Sequence, residues 1–208
     1  MGETSINADK QPRAVDEDYE LVLACRKGDA DAFGVLVAKY QRKTFNIVYR
    51  MMGDYEETSD TVQEAFLSAF RSIRKFRGEA KFSTWLYGIC INHAKNRLKQ
   101  ARSRSRHEGP SIDDPVQTND GFFFLDPPGD DPPPDERLER KELQMMVQKC
   151  IDSLDDEYRE VLVLRDIQGF SYDEIRDILN IPDGTVKSRL FRARDALKNG
   201  LKGLLGDL

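Results

Sequence analysis

Apolar side chains recur with the 3.6-residue period of an α-helix along most of this 208-residue chain. The clearest stripe lies between Ala30 and about Met52. Its members are Phe33, Leu36, Val37, Tyr40, Thr44, Ile47, Val48 and Met51. Gly53 follows directly, and glycine commonly ends helices. The pattern therefore predicts one long amphipathic helix with a single buried face.

The same period predicts further helices in the N-terminal half. One begins at about Glu56, and a shorter helix lies near residues 17–27. After a short loop, a third long helix is predicted to run to about Arg104. Ser83 or Thr84 can cap that helix, because their hydroxyl groups accept hydrogen bonds from free backbone N–H groups.

The helical pattern stops in residues 108–137. Seven prolines lie there, at Pro110, Pro115, Pro127, Pro128, Pro132, Pro133 and Pro134. Proline lacks a backbone donor and fixes φ, so no helix is expected to cross this stretch. The segment also carries 9 acidic residues against 1 basic residue. It is predicted to be an extended acidic linker.

Four more helices are predicted after the linker. The first runs from Glu136 to Ile151 and the second from Asp155 to Arg165. The last two belong to residues 169–198, where Ser171 and Glu174 have the spacing of a capping box. The following run Asn180-Ile181-Pro182-Asp183-Gly184 interrupts the helix. A helix-turn-helix is therefore predicted.

These elements predict an all-α protein made of two small helical domains joined by an extended acidic linker. The domains are assigned to residues 16–106 and 137–208, with the linker at 107–136 and a disordered N-terminus at 1–15.

The second helix of the predicted helix-turn-helix has distinct inner and outer faces. Its buried stripe is predicted to consist of Val186, Leu190, Ala193 and Leu197. Its polar and basic residues, with one exposed aromatic ring, suit base edges and phosphates in a major groove. These candidate DNA contacts are Thr185, Lys187, Ser188, Arg189, Phe191, Arg192 and Arg194.

The charge distribution supports a second nucleic-acid surface. The chain carries a net charge of −5, but residues 38–107 carry 15 basic and 6 acidic residues, a net charge of +9. Aromatic residues precede the most basic helix, and aromatic rings beside a basic track can stack unpaired bases. The candidates here are Phe76, Arg77, Lys81, Phe82, Trp85, Asn92, Lys95 and Asn96.

Several function classes are disfavoured. No apolar run approaches the roughly 18–20 residues that cross a bilayer, and no secretory signal opens the chain. Membrane insertion is therefore not expected, and the cytoplasm is the expected compartment. Cys25, Cys90 and Cys150 do not form a disulfide or zinc pattern. No metal or cofactor is expected, and the absence of nucleotide-binding and hydrolase motifs disfavours an enzyme.

Five stretches resemble one known family. The sequences DTVQEAF at 60–66, FRG at 76–78 and FSTWLYGI at 82–89 resemble domain 2 of extracytoplasmic-function sigma factors in the sigma-70 family. The sequences GFSYDEI at 169–175 and GTVKSRLFRAR at 184–194 resemble their domain 4. Together, these five stretches are most similar to the sigma-E group of that family.

The resemblance implies a role for each predicted surface. It implies that the protein binds core RNA polymerase and directs initiation by reading −35 duplex DNA and capturing a melted −10 element. The polymerase contacts, to the β′ subunit, would come from Asp60, Gln63, Glu64 and Phe66. The loop at 77–83 together with Asn92 would capture a flipped base. Lys187 stands where many relatives carry Arg, and Lys cannot form the same planar fork.

The resemblance also implies partners and a place for the linker. The expected partners are the β and β′ subunits of core RNA polymerase, promoter DNA and an anti-sigma factor, and a role in a stress response is typical of the group. The linker would thread channels of the polymerase, and we hypothesise that its acidic chain mimics RNA phosphates there. The alternative is a disordered tether that carries one apolar patch, at residues 122–125.

Two other classes of function remain open from the residues alone. One is a helix-turn-helix repressor or activator that binds duplex DNA without polymerase. The aromatic loop and the polar surface at 60–64 disfavour it, because such a regulator has no use for base capture. The other is a module that sequesters proteins. The basic face of the second helix in the helix-turn-helix disfavours it, because sequestering a protein does not require such a face.

Overall fold

The computed structural model describes residues 16–108, 143 and 145–205, and every regular element in those ranges is helical. The N-terminal half contains α1 (Tyr19–Arg26), α2 (Ala30–Met52), α3 (Tyr55–Ser72), a 3₁₀ turn (Ile73–Lys75) and α4 (Phe82–Glu108). The C-terminal half contains α5 (residues 143 and 145–152), α6 (Asp156–Leu162), a π-helical turn (Val163–Ile167), α7 (Tyr172–Leu179) and α8 (Asp183–Leu205). The predicted all-α class is confirmed.

Some predicted segments fall outside this description. The N-terminus at 1–15 lies outside the described residues. The linker at 107–136 also lies outside them, apart from its first two residues, which belong to α4. The start of the helix predicted from Glu136 lies outside them as well.

Local capping signals set the ends of α2, which fall where the sequence predicted them, although only Gly53 was named in the prediction. The Asp29 carboxylate accepts a hydrogen bond from the Ala32 N–H at 3.0 Å and so caps the first turn. Gly53 ends the helix with φ of +76°, a conformation that costs glycine little. Between these ends, Leu36 and Ile47 are completely buried. The Asp29 side chain at the start, the left-handed backbone of Gly53 at the end and the apolar face between them therefore define α2.

The start of α4 differs from the sequence prediction. The helix begins at Phe82, so Ser83 and Thr84 lie inside its first turn and do not cap it. The cap comes from Asp16, whose carboxylate accepts the Phe82 N–H at 2.7 Å. The prediction of Ser83 or Thr84 was wrong because an acceptor 66 residues away in sequence satisfies this helix end.

The C-terminal half contains the predicted helix-turn-helix. Ser171 and Glu174 form a complete capping box at the start of α7, and Asn180 ends the helix with φ of 53°. The next helix begins at Asp183, so the last two residues of the run predicted to interrupt the helix, Asp183 and Gly184, belong to it. Its predicted inner stripe is buried at Val186, Leu190 and Ala193, and Leu197 is partly buried. The helix predicted from Asp155 to Arg165 is instead α6 followed by the π-helical turn.

The two halves pack against each other and share one cluster of buried apolar residues. The rings of Tyr87 in α4 and Phe170, just before α7, lie 5.3 Å apart between centroids. The Arg50 guanidinium in α2 donates to the Gln148 side chain in α5 at 2.9 Å. The sequence predicted two domains but gave no sign that they meet.

Candidate nucleic-acid interface

The first turns of α8 present an open polar face. Phe191 is 75% exposed, although it is a large apolar residue, and Lys187, Ser188 and Arg192 are exposed beside it. Thr185 is partly exposed, and its carbonyl accepts the Ser188 hydroxyl at 3.1 Å. An exposed aromatic ring among basic and hydroxyl side chains is typical of a helix that lies in a DNA groove.

The cations of this face are only loosely held within the chain. Asp183 lies 2.7 Å from the Lys187 ammonium, and this contact raises the pKa of Lys187. The Arg192 guanidinium has a long contact of 3.4 Å to the Tyr158 hydroxyl. Because both contacts are exposed, they contribute little to stability and compete weakly with a phosphate.

Two arginines from the predicted set are held more firmly. Arg189 is only 24% exposed and turns toward α6, where it pairs with Glu157 at 2.6 Å and Glu160 at 3.2 Å. Arg194 makes two hydrogen bonds with Asp166, one of them at 2.9 Å. The structure therefore places Arg189 away from the open face and leaves Arg194 at its edge.

A second candidate face lies along α4. Trp85, Asn92 and Asn96 are spaced seven and four residues apart, which places them on one side of the helix. Trp85 is partly exposed, whereas both asparagine side chains are exposed. An amide can pair with a base edge, and an indole offers a flat surface for stacking. The exposed cations Arg77 and Lys81 precede this face in the loop before α4.

The loop aromatics lie beneath this face and not on it. Phe82 is fully buried and Phe76 is 7% exposed, so neither ring is open to a base. Their centroids lie 5.8 Å and 5.0 Å from that of Trp85. Phe76 and Phe82 were predicted together with Trp85 to stack on unpaired bases, but their rings are not available for this because the loop folds back onto α4. Their contacts position the Trp85 indole.

Lys95 occupies an intermediate position on the same helix. Its side chain is 42% exposed, and its ammonium lies 2.8 Å from the carboxylate of Glu160 in α6. The C-terminal half thus holds one of the cations that the sequence assigned to DNA.

The predicted polymerase surface lies on α3. Asp60, Gln63 and Glu64 are exposed on this helix, whereas Phe66 is 8% exposed and packs inward. The first three therefore form a polar patch, and Phe66 supports it from below.

An apolar groove of about 910 Å³ lies beside that patch, between α2 and α3. Its lining includes Phe33, Val37, Phe45, Val62, Phe66 and Phe70. Leu67 and Phe70 at its edge are 47% and 40% exposed. This groove was not predicted from the sequence. It could have been, because α3 carries more apolar residues than the single stripe that a helix buries in its core.

The remaining chemistry in the described residues is sparse. The three cysteines are free and buried, and burial raises the pKa of Cys90 to about 12. Within the described ranges, no group of three His, Cys, Asp or Glu side chains could hold a metal ion. Among the same residues, no helix is sufficiently long and apolar to cross a membrane.

Two family descriptions match the chain. Sigma-70 region 2 matches residues 36–104, which include α3 and most of α4. Sigma-70, region 4, matches residues 144–197, which include the helix-turn-helix. Both candidate faces lie within these two matches.

Relatives match almost the whole chain. The RNA polymerase sigma-H factor of Pseudomonas aeruginosa is 39% identical over 91% of this chain and 96% of its own length. The ECF RNA polymerase sigma-E factor of Escherichia coli K12 is 38% identical over 90% of this chain and 96% of its own length.

Solved structures share the fold. CnrH in complex with the cytosolic domain of CnrY matches with a TM-score of 0.64 and 24% identity, over 90% of this chain and 99% of CnrH. The sigma factor RpoE from Bartonella quintana, in complex with the anti-sigma factor NepR, matches with a TM-score of 0.58 and 22% identity, over 82% and 96%. The chain therefore belongs to the sigma-70 family, within its extracytoplasmic-function group.

Proposed function

We propose that this protein binds core RNA polymerase and directs it to promoters whose −35 element is read as duplex DNA by α8 and whose −10 element is captured as melted DNA by α4. The observation that carries this proposal is the presence, in one chain, of two exposed faces with different chemistry. The face on α8 suits a groove, and the face on α4 suits unpaired bases.

The −35 contact is assigned to the open face of α8. Lys187 and Arg192 donate to base edges or phosphates, Ser188 donates or accepts, and the Phe191 ring packs against a thymine methyl group. The capping box at Ser171 and Glu174 sets where α7 begins, and the buried side chains that α7 and α8 share in one apolar cluster hold the angle at which the face meets DNA.

The −10 contact is assigned to the face of Trp85, Asn92 and Asn96. The two amides provide donors and acceptors for the edge of an unstacked base, and the indole stacks against it. Phe76 and Phe82 serve this face indirectly, because they hold the indole in place. Arg77, Lys81 and Lys95 attract the phosphates of the displaced strand.

The polymerase contact is assigned to the polar patch of Asp60, Gln63 and Glu64, with the adjacent apolar groove as its second component. The exposed carboxylates and amide would orient polymerase through polar contacts. The groove, with its exposed apolar edges, would supply apolar surface that becomes buried in the interface. The related structures were solved as complexes with CnrY and with the anti-sigma factor NepR. We accordingly propose an anti-sigma factor as a further partner.

Permanganate footprinting tests whether the protein and core polymerase together melt the −10 element. Core polymerase plus this protein should make thymines near −10 reactive on a promoter that the pair selects, and neither component alone should do so. A helix-turn-helix repressor would instead protect duplex DNA without polymerase and would leave thymines unreactive. That second result would overturn the proposal.

A further inference from the structure

The loop before α4 is tied to the residues that precede α1. One oxygen of the Asp16 carboxylate accepts the Phe82 N–H at 2.7 Å, across 66 residues of sequence. The other oxygen accepts the Asp18 N–H at 3.2 Å. The backbone carbonyl of Asp16 accepts the Tyr19 N–H at 3.0 Å. A single residue therefore links the start of α1 to the start of α4.

Asp18 anchors this segment on α2. Its side chain is 1% exposed, and its carboxylate accepts the Lys39 ammonium at 2.6 Å and the Tyr40 hydroxyl. Burial and the Asp18 carboxylate raise the pKa of Tyr40, so the hydroxyl stays protonated and keeps donating. A buried carboxylate is costly unless it is paired and hydrogen-bonded, and both partners of Asp18 belong to α2. Residues 16–18 are therefore held in one place beside that helix.

A series of aromatic rings runs from this anchor to the proposed −10 face. The Tyr40 ring lies 5.8 Å from that of Phe82, and Phe82 lies 5.8 Å from Trp85. The Phe76 ring is perpendicular to that of Phe82 at 6.2 Å. Tilted and perpendicular contacts fix how neighbouring rings are oriented. Phe82 is thus held by Asp16 through its backbone and by Tyr40 through its ring, and the Trp85 indole packs on it.

The short loop at 77–81 is held at both ends by these contacts. At its start, the Phe76 N–H donates to the Ile73 carbonyl at 3.1 Å. At its end, Phe82 is held by Asp16. Ordering a loop residue costs conformational entropy. A loop that is ordered before DNA arrives does not spend binding energy on this cost.

We propose that Asp16 is a positioning residue for the −10 face. By capping α4 at Phe82, it holds the Trp85 indole and the loop at 77–81 in the arrangement that receives an unpaired base. Asp18 keeps Asp16 in place, and neither carboxylate contacts DNA. The consequence for base capture rests on the proposed function, whereas the effect on Trp85 does not.

The fluorescence of Trp85 tests this role in the full chain, which contains one tryptophan. Asp16→Ala should shift the emission maximum by several nanometres to longer wavelength and make acrylamide quench it more strongly. Glu20→Ala, which removes an exposed carboxylate from the first turn of α1, is the control and should change neither. Asp16→Asn should restore both values, because an amide oxygen still accepts the Phe82 N–H. Unchanged emission in Asp16→Ala would overturn the proposal.

Amide hydrogen exchange separates positioning from general stability. In Asp16→Ala, the Phe82 amide should exchange roughly ten- to 150-fold faster, since it loses a hydrogen bond to a charged acceptor. The amide of Leu36, a completely buried residue of α2, should keep its rate. Equal acceleration at both positions would mean that Asp16 only stabilises the whole fold, and would overturn the positioning role.

A hydroxyl deletion tests the anchor separately. Tyr40→Phe keeps the ring that packs on Phe82 but removes the donor to Asp18. The Trp85 emission should shift in the same direction as in Asp16→Ala, and by less, because Lys39 still holds Asp18. Unchanged emission in Tyr40→Phe would overturn the role of Asp18 as the anchor.

Permanganate reactivity and gel-shift binding with core polymerase test the consequence for DNA. Asp16→Ala should lower the reactivity of thymines near −10 several-fold and leave closed-complex binding unchanged, and Asp16→Asn should recover the reactivity. An equal loss in both steps, or no loss, would overturn the role in base capture. Fluorescence and exchange use neither DNA nor polymerase. A lack of melting even by the unaltered protein would therefore refute the proposed function and leave the positioning of Trp85 standing.

Discussion

The guanidinium of Arg159 in α6 donates to the carbonyl of Met51 at 2.6 Å, in the last turn of α2. The same side chain donates to the carbonyls of Ile151 and Leu154 at 3.1 Å and 3.0 Å and to that of Asp152. Because Arg159 is only 4% exposed, these bonds are shielded from water. One cation thus satisfies the free carbonyls at the ends of α2 and α5 and joins the two halves.

Replacing Arg159 with Leu should therefore destabilise the protein strongly. Each carbonyl that loses its partner while buried costs about 1–3 kcal/mol, so a total loss of at least 3 kcal/mol in the free energy of unfolding is expected. Urea denaturation measures it. Arg176→Leu is the control, because that guanidinium makes only exposed ion pairs and should barely matter. Similar midpoints for both variants would contradict the role of Arg159.

The open face of α8 predicts a graded response of −35 binding. Lys187→Ala and Arg192→Ala should each weaken binding of holoenzyme to its preferred −35 element by roughly five- to 150-fold if each reads a base. Lys198→Ala, an exposed cation further along the same helix, should have a smaller effect. Competition with altered −35 sequences distinguishes the two kinds of contact. A uniform loss across all sequences would mean that the residue binds phosphate only.

The α4 face predicts a defect at the melting step. Asn92→Ala should reduce open-complex formation more than it reduces closed-complex binding, because the amide meets a base only after the strands separate. Gln100→Ala, another exposed amide on α4, is the matched control. Permanganate reactivity and gel-shift binding measure the two steps. An equal loss in both steps for Asn92→Ala would remove it from base capture.

The capping box predicts an acid-sensitive contribution to stability. Burial acts to raise the pKa of Glu174, but the N–H and hydroxyl of Ser171 donate to its carboxylate, and the net pKa falls below its ordinary value of 4.5. A carboxyl group with a depressed pKa in the folded state stabilises the fold above its unfolded pKa, and this stabilisation is lost as the pH falls through the folded pKa.

Ser171→Ala should accordingly cost about 1 kcal/mol at neutral pH. The difference between Ser171→Ala and the unaltered protein should shrink as the pH falls below about 4, since protonated Glu174 no longer accepts as well. Thermal unfolding at a series of pH values measures this. A difference that stays constant down to pH 3 would show that the carboxylate contributes nothing through its charge.

The elements that the sequence predicted well depend on neighbouring residues. The C-terminal end of α2 and the start of α7 follow from Gly53 and Ser171, each within a few positions of the group it satisfies. The buried stripe of α8 follows from helical periodicity alone. The candidate residues on α8 could be named for the same reason, because the polar positions of an amphipathic helix can be read from its apolar ones. Those on α4 were named from its basic residues, from the aromatic residues before it and from the family resemblance.

The features that the sequence missed depend on distant residues. Asp16 caps α4 from the start of the chain, so no local pattern at Ser83 could reveal it. Phe76 and Phe82 are buried because their loop folds back onto α4, and a loop has no periodicity that predicts this. The pairing of Lys95 with Glu160 depends on how two halves dock across the linker. A basic residue in a basic helix gives no sign of such a partner.

Runoff transcription with purified core polymerase tests the central claim most directly. Core polymerase plus this protein, supplied with a library of genomic fragments, should produce discrete transcripts whose templates share elements near −35 and −10. Polymerase alone should produce none of them, and the variants Lys187→Ala and Asn92→Ala should reduce them. Transcripts that do not rise above polymerase alone, on any fragment, would contradict the account.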